Sequence, residues 1–240
     1  MKYIGFDCDE CLAQVEQLMP FTESDAKNEI FIEFAKKITD SNIPFIRPTF
    51  WQLLEKINEE KMKGNVKLFI YSNNGSLKTL QFIALLVDLK LDTYNFFDTV
   101  AHYDNDLRTD NINGQYIKRW DSMKIFIDKS FNTNVLSKDV MFFDDMPHPP
   151  LKNELMVNYI KVKPYEYPPI KIDNDILLEL WEQSGGDPRF IDTEDVYKTA
   201  EYDESENEVF IDALNIFLKK LGGKRKKRKT LKNNKYRINR

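Results

Sequence analysis

Tyr3-Ile4-Gly5-Phe6-Asp7-Cys8-Asp9 and Val140-Met141-Phe142-Phe143-Asp144-Asp145 are two short apolar runs, each ending in a pair of carboxylates. Short apolar runs closed by polar residues read as buried strands. In an open parallel sheet the carboxyl ends of the strands face one crevice, so acids about 135 residues apart in sequence converge on one small volume. Carboxylates gathered that closely need a cation among them.

Two further candidates lie between the pairs. Val66-Lys67-Leu68-Phe69-Ile70-Tyr71 is a third strand-like run, ending in Ser72-Asn73-Asn74-Gly75, and Lys118 follows Gly114-Gln115-Tyr116-Ile117. A hydroxyl, a lysine and a carboxylate-bound cation are what a phosphate group needs around it.

Helical spacing separates these runs. Ser24 is placed to cap a helix over 24–39 with Ile30, Phe31, Phe34, Ala35 and Ile38 on one face. Pro48 sits at a helix start followed by Phe50, Leu53, Leu54 and Ile57, and Gly64-Asn65 turns the chain into the third strand. The pattern Leu77, Leu80, Phe82, Ile83, Leu86, Val87 predicts a largely buried helix over 76–89. Further helices are expected at 122–131 and 175–182, with short strands at 99–103 and 159–162, a turn-rich stretch at 104–114 and a rigid proline-bounded connection at 164–169. Asp203-Glu204-Ser205-Glu206 opens a last helix with Val209, Phe210, Ala213, Leu214 and Phe217 as its apolar positions. Strands alternating with helices predict an α/β chain with a central parallel sheet and helices on both faces.

Apolar content of 42% over 240 residues is ordinary for one globular domain with appendages. No run of 18 apolar residues occurs and the first residues enter a strand directly, so a soluble, intracellular protein without a membrane partner is expected. The net charge of −4 hides a division: residues 219–240 hold 12 Lys and Arg and no acid, which leaves 23 bases against 39 acids in the first 218, a net of −16. Such a tail is expected to be disordered when free, and offers contact with nucleic acid, a nuclear-import signal or simply a solvated terminus.

The order Asp-x-Asp, strand-end Ser, Lys, Asp-Asp resembles the haloacid dehalogenase (HAD) superfamily of phosphohydrolases. Within it, the chain is most similar to the FCP/SCP group that acts on the C-terminal domain of RNA polymerase II. Asp7-Cys8-Asp9-Glu10, Arg47-Pro48, Tyr116-Ile117-Lys118 and Asp144-Asp145-Met146-Pro147 carry the likeness, with fainter echoes at 173–180 and in Glu194-Asp195-Val196-Tyr197. The resemblance implies a HAD-like Rossmannoid three-layer fold with a small cap or none, the region 12–44 being too short for a large closing domain. It divides the chain into a phosphatase domain at 1–198, an acidic helical extension at 199–221 and a basic tail at 222–240.

It also implies an enzyme, a Mg²⁺-dependent phosphomonoesterase working through an aspartyl-phosphate, with a phosphoprotein or phosphopeptide as substrate and partner. Asp7 is then the nucleophile and Asp9 the acid and base. Ser72, Asn73 and Lys118 bind phosphate, and Lys118 also acts catalytically. Asp7, the Asp9 main-chain carbonyl and the pair Asp144-Asp145 hold the metal, with Asp145 favoured as the direct ligand and Asp144 as its support. The stretch His102-Tyr103-Asp104-Asn105-Asp106 departs from the arginine-containing segment usual in the family, and Arg119-Trp120 stand where an acid often follows the lysine.

Other readings share these residues. A nucleotide or polynucleotide end is an alternative substrate, and a non-catalytic binding module an alternative to turnover. Lys124 is a second candidate for the lysine. Cys8 and Cys11 fit the Cys-x-x-Cys spacing of redox and zinc sites, with His102 and His148 as the available histidines. Lys, Asn and Ile are abundant, and together with the basic tail they are similar to what many proteins of large DNA viruses carry.

Overall fold

The computed structural model describes residues 1–112, 115–193, 199 and 205–219. Gly114, Glu194-Asp195-Val196-Tyr197, the Asp203-Glu204 helix start and the basic tail at 222–240 lie outside them. In chain order the strands are β1 (Lys2–Phe6), β2 (Val66–Tyr71), β3 (Thr99–Ala101), the pair β4 (Asn111–Ile112) and β5 (Gln115–Tyr116), β6 (Val140–Asp144) and β7 (Tyr159–Lys161). The helices of four or more residues are α1 (Met19–Thr22), α2 (Asn28–Asp40), α3 (Trp51–Met62), α4 (Leu77–Lys90), α5 (Trp120–Phe131), α6 (Pro149–Leu155), α7 (Asn174–Gln183) and α8 (Ser205–Lys219).

Five strands form one all-parallel sheet in the order β3-β2-β1-β6-β7, while β4 and β5 make a separate antiparallel pair. Successive side chains of a strand point to opposite faces, and the apolar runs split accordingly. Ile4, Phe6, Leu68, Ile70, Met141 and Phe143 join a core built with α3, α4 and α8. Tyr3, Phe69, Tyr71, Val140 and Phe142 face the other way, onto Met123, Phe126 and Ile127 of α5 and Leu151 and Leu155 of α6. The result is a Rossmann-like three-layer α/β fold. Both faces of the sheet are covered, which is why its strands are continuously apolar instead of alternating with polar residues.

From β1 the chain winds outward through β2 to β3, then crosses to the other side of β1 to form β6 and β7. The order therefore reverses between β1 and β6, the place where open α/β sheets bind ligands at the carboxyl ends of their strands. Asp7 and Asp144 stand there, and the Asp7 N–H donates to the Phe143 carbonyl at 2.8 Å, carrying the ladder one residue past β1.

Several expectations meet corrections. The first long helix begins at Asn28, because the Ser24 hydroxyl donates to the Phe21 carbonyl at 2.7 Å and so closes α1 instead of capping α2. Ser76 does cap α4, accepting from the Thr79 N–H, but Leu77 on that helix is largely exposed. Val209 of α8 is likewise exposed, whereas Phe210, Leu214 and Phe217 are buried and Phe210 packs on Phe50 and Phe143 with ring centroids 5.2 and 5.9 Å away. Helix α6 was not expected: its two prolines occupy the first turn, where a missing N–H costs nothing. The region 12–44 lays α2 against α4 and α7, with Phe34 packed on Phe82 and Trp181. Among the described residues no helix is long and apolar enough to cross a membrane.

Gly5, in the middle of β1, permits close approach of two aromatic rings from β2 and β6. A Cβ there would lie 2.3 Å from the Phe69 ring and 2.8 Å from that of Phe142. Both rings are fully buried and cannot withdraw. Gly5→Ala is expected to destabilise the fold by about 1–3 kcal/mol, the range for overpacking a core; urea denaturation followed by circular dichroism checks this, and a midpoint equal to that of the parent would contradict the packing.

Candidate active site

Four separate segments deliver the site. The turn after β1 brings Asp7 and Asp9, the end of β2 brings Ser72-Asn73-Asn74, the segment after β5 brings Lys118, and the end of β6 brings Asp144 and Asp145. Lys118 is fully buried, and its Nζ lies 2.8 Å from Asp7 Oδ2 and 3.1 Å from Asp144 Oδ2. A buried ammonium is tolerable only when paired. Burial pulls the Lys118 pKa down, yet Asp7 and Asp144 outweigh it and hold the value above that of an ordinary lysine. Lys124 pairs instead with Asp128 on its own helix, and Asn134 accepts a further bond from it at 2.8 Å.

The two acids of the first pair diverge. Asp7 Oδ1 accepts the Cys8 N–H at 2.8 Å while Oδ2 meets Lys118. Asp9 turns toward β2, where its carboxylate accepts from the Ser72 hydroxyl at 3.2 Å and from Asn74 Nδ2 at 2.8 Å. Glu10 follows with a φ of 55°, and the N–H groups of Leu12 and Ala13 both return to the Cys8 carbonyl. Burial, then the charge of Asp7, raises the Asp9 pKa, while Asn74 and Ser72 work in the opposite direction.

The second pair divides its duties. Asp144 has both oxygens engaged, Oδ2 with Lys118 and Oδ1 with the Met146 N–H at 3.0 Å. Asp145 is buried and its Oδ1 has no hydrogen-bond partner. Burial drives the Asp144 pKa up to about 6. Burial, then Asp7 and Asp144, drives that of Asp145 up to about 7. One oxygen from each of Asp7, Asp144 and Asp145 lies within 4.8 Å of the others. An all-oxygen set with a bare buried carboxylate oxygen fits a hard divalent cation such as Mg²⁺. The Asp9 side chain is outside this group, tied to Ser72 and Asn74.

Asn73 is held from behind, its Oδ1 accepting from Arg108 Nη2 at 2.6 Å. Cys8 and Cys11 are buried and unpaired, belong to no metal cluster among the described residues, and have thiol pKa values pushed well up, by burial first and then by neighbouring carboxylates. That environment disfavours both thiolate chemistry and zinc.

Three residues that the sequence did not assign to the phosphate or metal chemistry surround the site. Arg47 donates from Nε to the Cys11 carbonyl at 2.7 Å and from Nη2 to the carbonyls of Glu10 and Lys163, and pairs with Glu206 of α8 at 3.4 Å, locking the turn that carries Asp9. His148 accepts the Lys118 N–H on Nδ1 at 3.2 Å, and burial lowers its pKa to about 4, so it stays neutral. Arg108 backs Ser72 and Asn73. All three act through contacts distant in sequence, and only the proline after Arg47 marks any of them locally.

No family model matches this chain, and a search of curated proteins finds no match either.

Asp145→Asn removes one negative charge from a crowded buried group. Without metal, the variant is expected to melt at or above the temperature of the parent. With Mg²⁺ at about 100 times its dissociation constant the parent gains roughly 2.7 kcal/mol, and the variant gains far less. Thermal melts with and without Mg²⁺ check this; equal metal-induced shifts in both proteins would remove Asp145 from the cation site.

Proposed function

We propose that this chain is a Mg²⁺-dependent phosphomonoesterase of the HAD type, working through an aspartyl-phosphate on Asp7 and removing phosphate from phosphoserine or phosphothreonine side chains of proteins. The observation that carries this reading is the meeting of Asp7, Lys118, Asp144 and Asp145 in one crevice, with Asp9 held beside it by Ser72.

In the first step an Asp7 oxygen attacks phosphorus, the ester P–O bond breaks, and Asp9 gives its proton to the departing alkoxide. Splitting the hydrolysis in two replaces one difficult displacement by two easier ones. In the second step Asp9 takes a proton from water as the water oxygen attacks phosphorus, the acyl phosphate bond breaks, and Asp7 returns to a carboxylate with release of inorganic phosphate. Positioned proton transfer of this kind contributes about 10²- to 10⁴-fold. Lys118 supplies a fixed positive charge at the oxygens of the phosphoryl group, and the Ser72 hydroxyl and the Asn73 side chain stand at its other side.

Asp7, Asp145 and the Asp9 carbonyl would hold Mg²⁺, with Asp144 supporting from its place between Lys118 and the Met146 N–H. When bound, the ion supplies the charge that lets an anionic nucleophile approach an anionic ester.

A protein substrate is favoured over a polynucleotide end by the surroundings of the crevice. The region 12–44 lies against α4 and α7, and Glu10 has Glu16 and Glu166 as charged neighbours. Acids at the rim repel a polyanion and accept a peptide with basic residues near its phosphate. The unpaired cysteines accord with an intracellular setting, cytoplasm or nucleus.

Hydrolysis of an aryl phosphate by the purified protein is expected only with Mg²⁺, to be abolished by EDTA and restored on adding the metal back. Asp7→Asn is expected to lower turnover at least about 10³-fold. Lys118→Met should lower it about 10²- to 10³-fold. A folded parent without activity on aryl phosphate, phosphopeptide or phosphorylated oligonucleotide would overturn the reading and favour a binding module. Preference for oligonucleotide over phosphopeptide would change the substrate alone.

A further inference from the structure

Behind the phosphate-side loop lies a polar network that the chemistry above does not use. The Arg108 side chain is 2% exposed and that of Asp110 is 1% exposed. Arg108 donates from Nε to Asp110 Oδ1 at 3.1 Å and from Nη2 to Asp110 Oδ2 at 3.0 Å, a two-pronged pair. The other side of the same guanidinium reaches the loop: Nη1 donates to the Ser72 carbonyl and Nη2 to Asn73 Oδ1 at 2.6 Å. The guanidinium sits over the Tyr71 ring, its Cζ 4.3 Å from the centroid.

Asp110 is satisfied on every side. Besides Arg108 it accepts from the Tyr71 hydroxyl at 2.9 Å and from the Ser122 hydroxyl at 3.1 Å. Ser122, on α5, also accepts the Thr109 N–H at 2.8 Å. Burial works against the Asp110 carboxylate, but Arg108 outweighs it and keeps the pKa below the ordinary value. The pair therefore stays ionised and, taken together, neutral. Through it β2, the segment before β4 and the start of α5 are bound into one unit behind Ser72 and Asn73.

Resting on the phosphatase reading, we infer that Arg108 is a positioning residue that holds the Ser72-Asn73-Asn74 loop in the conformation that receives phosphate, and that it does so by the geometry of its fork and not by its charge. Asp110 cancels that charge, and the donors aimed at the loop are spent on Ser72 and Asn73. A lysine keeps the charge but presents a compact ammonium without the planar fork, so it cannot hold Asp110, the Ser72 carbonyl and Asn73 together. The loop's own bonds depend on this support: the Asn74 N–H donates to Ser72 Oγ at 3.2 Å, the Ser76 N–H to Asn74 Oδ1 at 2.7 Å, and the Tyr103 N–H to the Asn74 carbonyl at 2.9 Å.

The test compares the full-length parent with Arg108→Lys, Ser72→Ala and the double variant. Amide hydrogen exchange at Asn74 and Ser76 is expected to quicken in Arg108→Lys while β1 and β2 stay protected. With aryl phosphate and Mg²⁺, kcat/KM is expected to fall about 10- to 100-fold in Arg108→Lys, the usual scale for a supporting group. The double variant should lose little more than the worse single, because Arg108 acts through Ser72. Unchanged loop exchange overturns the inference, as do additive losses in the double variant or exchange quickened throughout the sheet, which mark general destabilisation. If Arg108→Lys does not fold, Ser122→Ala removes one donor to Asp110 and is read in the same two ways. A parent without turnover on aryl phosphate, phosphopeptide or phosphorylated oligonucleotide refutes the phosphatase reading alone, and loop exchange then decides the role of Arg108.

Discussion

The ammonium of Lys118, shared between Asp7 and Asp144, is the interaction on which the rest of the site depends. Three carboxylates from two neighbouring strand ends are buried within a few ångströms of one another. Burial drives the pKa values of Asp144 and Asp145 up, and the neighbouring charge of Asp7 adds to that tendency. One fixed cation is set between Asp7 and Asp144, while Asp145 keeps a buried oxygen with no hydrogen-bond partner. The arrangement is stable enough to fold and is still short of positive charge, which is what a binding site for a divalent ion requires. The same ammonium fixes the Asp7 carboxylate in place by one oxygen while the Cys8 N–H holds the other.

The sheet supplies this geometry because β1 and β6 are neighbours in parallel register, Phe6 beside Phe143. A slip of one residue in either strand would turn its apolar side chains to the wrong layer. The packing of Phe6 on Phe143, rings stacked with centroids 4.9 Å apart, and the absence of a side chain at Gly5 therefore determine where Asp7 stands relative to Asp144. Core packing and the geometry of the acidic cluster are set by neighbouring residues, one position apart along each strand.

Much of this was legible in the amino-acid order, and for physical reasons. Strands buried on both faces must be continuously apolar, so β1, β2 and β6 stand out as runs, and a parallel sheet must expose their carboxyl ends together. Asp7, Asp9, Ser72, Asp144 and Asp145 all follow such runs closely. Lys118 needed its burial to be distinguished from Lys124, since both are lysines near the start of a helix. What could not be read were interactions without a period. Arg47, Arg108 and His148 reach partners far away in sequence, and nothing in the identity of an arginine says which carbonyl it will meet. The start of α2 is hidden because a serine hydroxyl can either cap the helix that follows or bond back to the turn before it, and Ser24 does the second. Pro149-Pro150 concealed α6, since the same dipeptide begins a short helix or interrupts a chain.

Helix α8 spans the two ends of β1. Its first turn lies beside Arg47 at the crevice end of the sheet, and near its last turn Phe217 meets the Lys2 ammonium, 4.6 Å away, at the opposite end of β1. The helix thus runs the length of the domain, about 22 Å for its 15 residues. Lys219, at the end of α8, therefore stands by the end of β1 remote from Asp7. One helix thus clamps the sheet at both poles, an ion pair at the crevice and a cation over an aromatic ring at the other end.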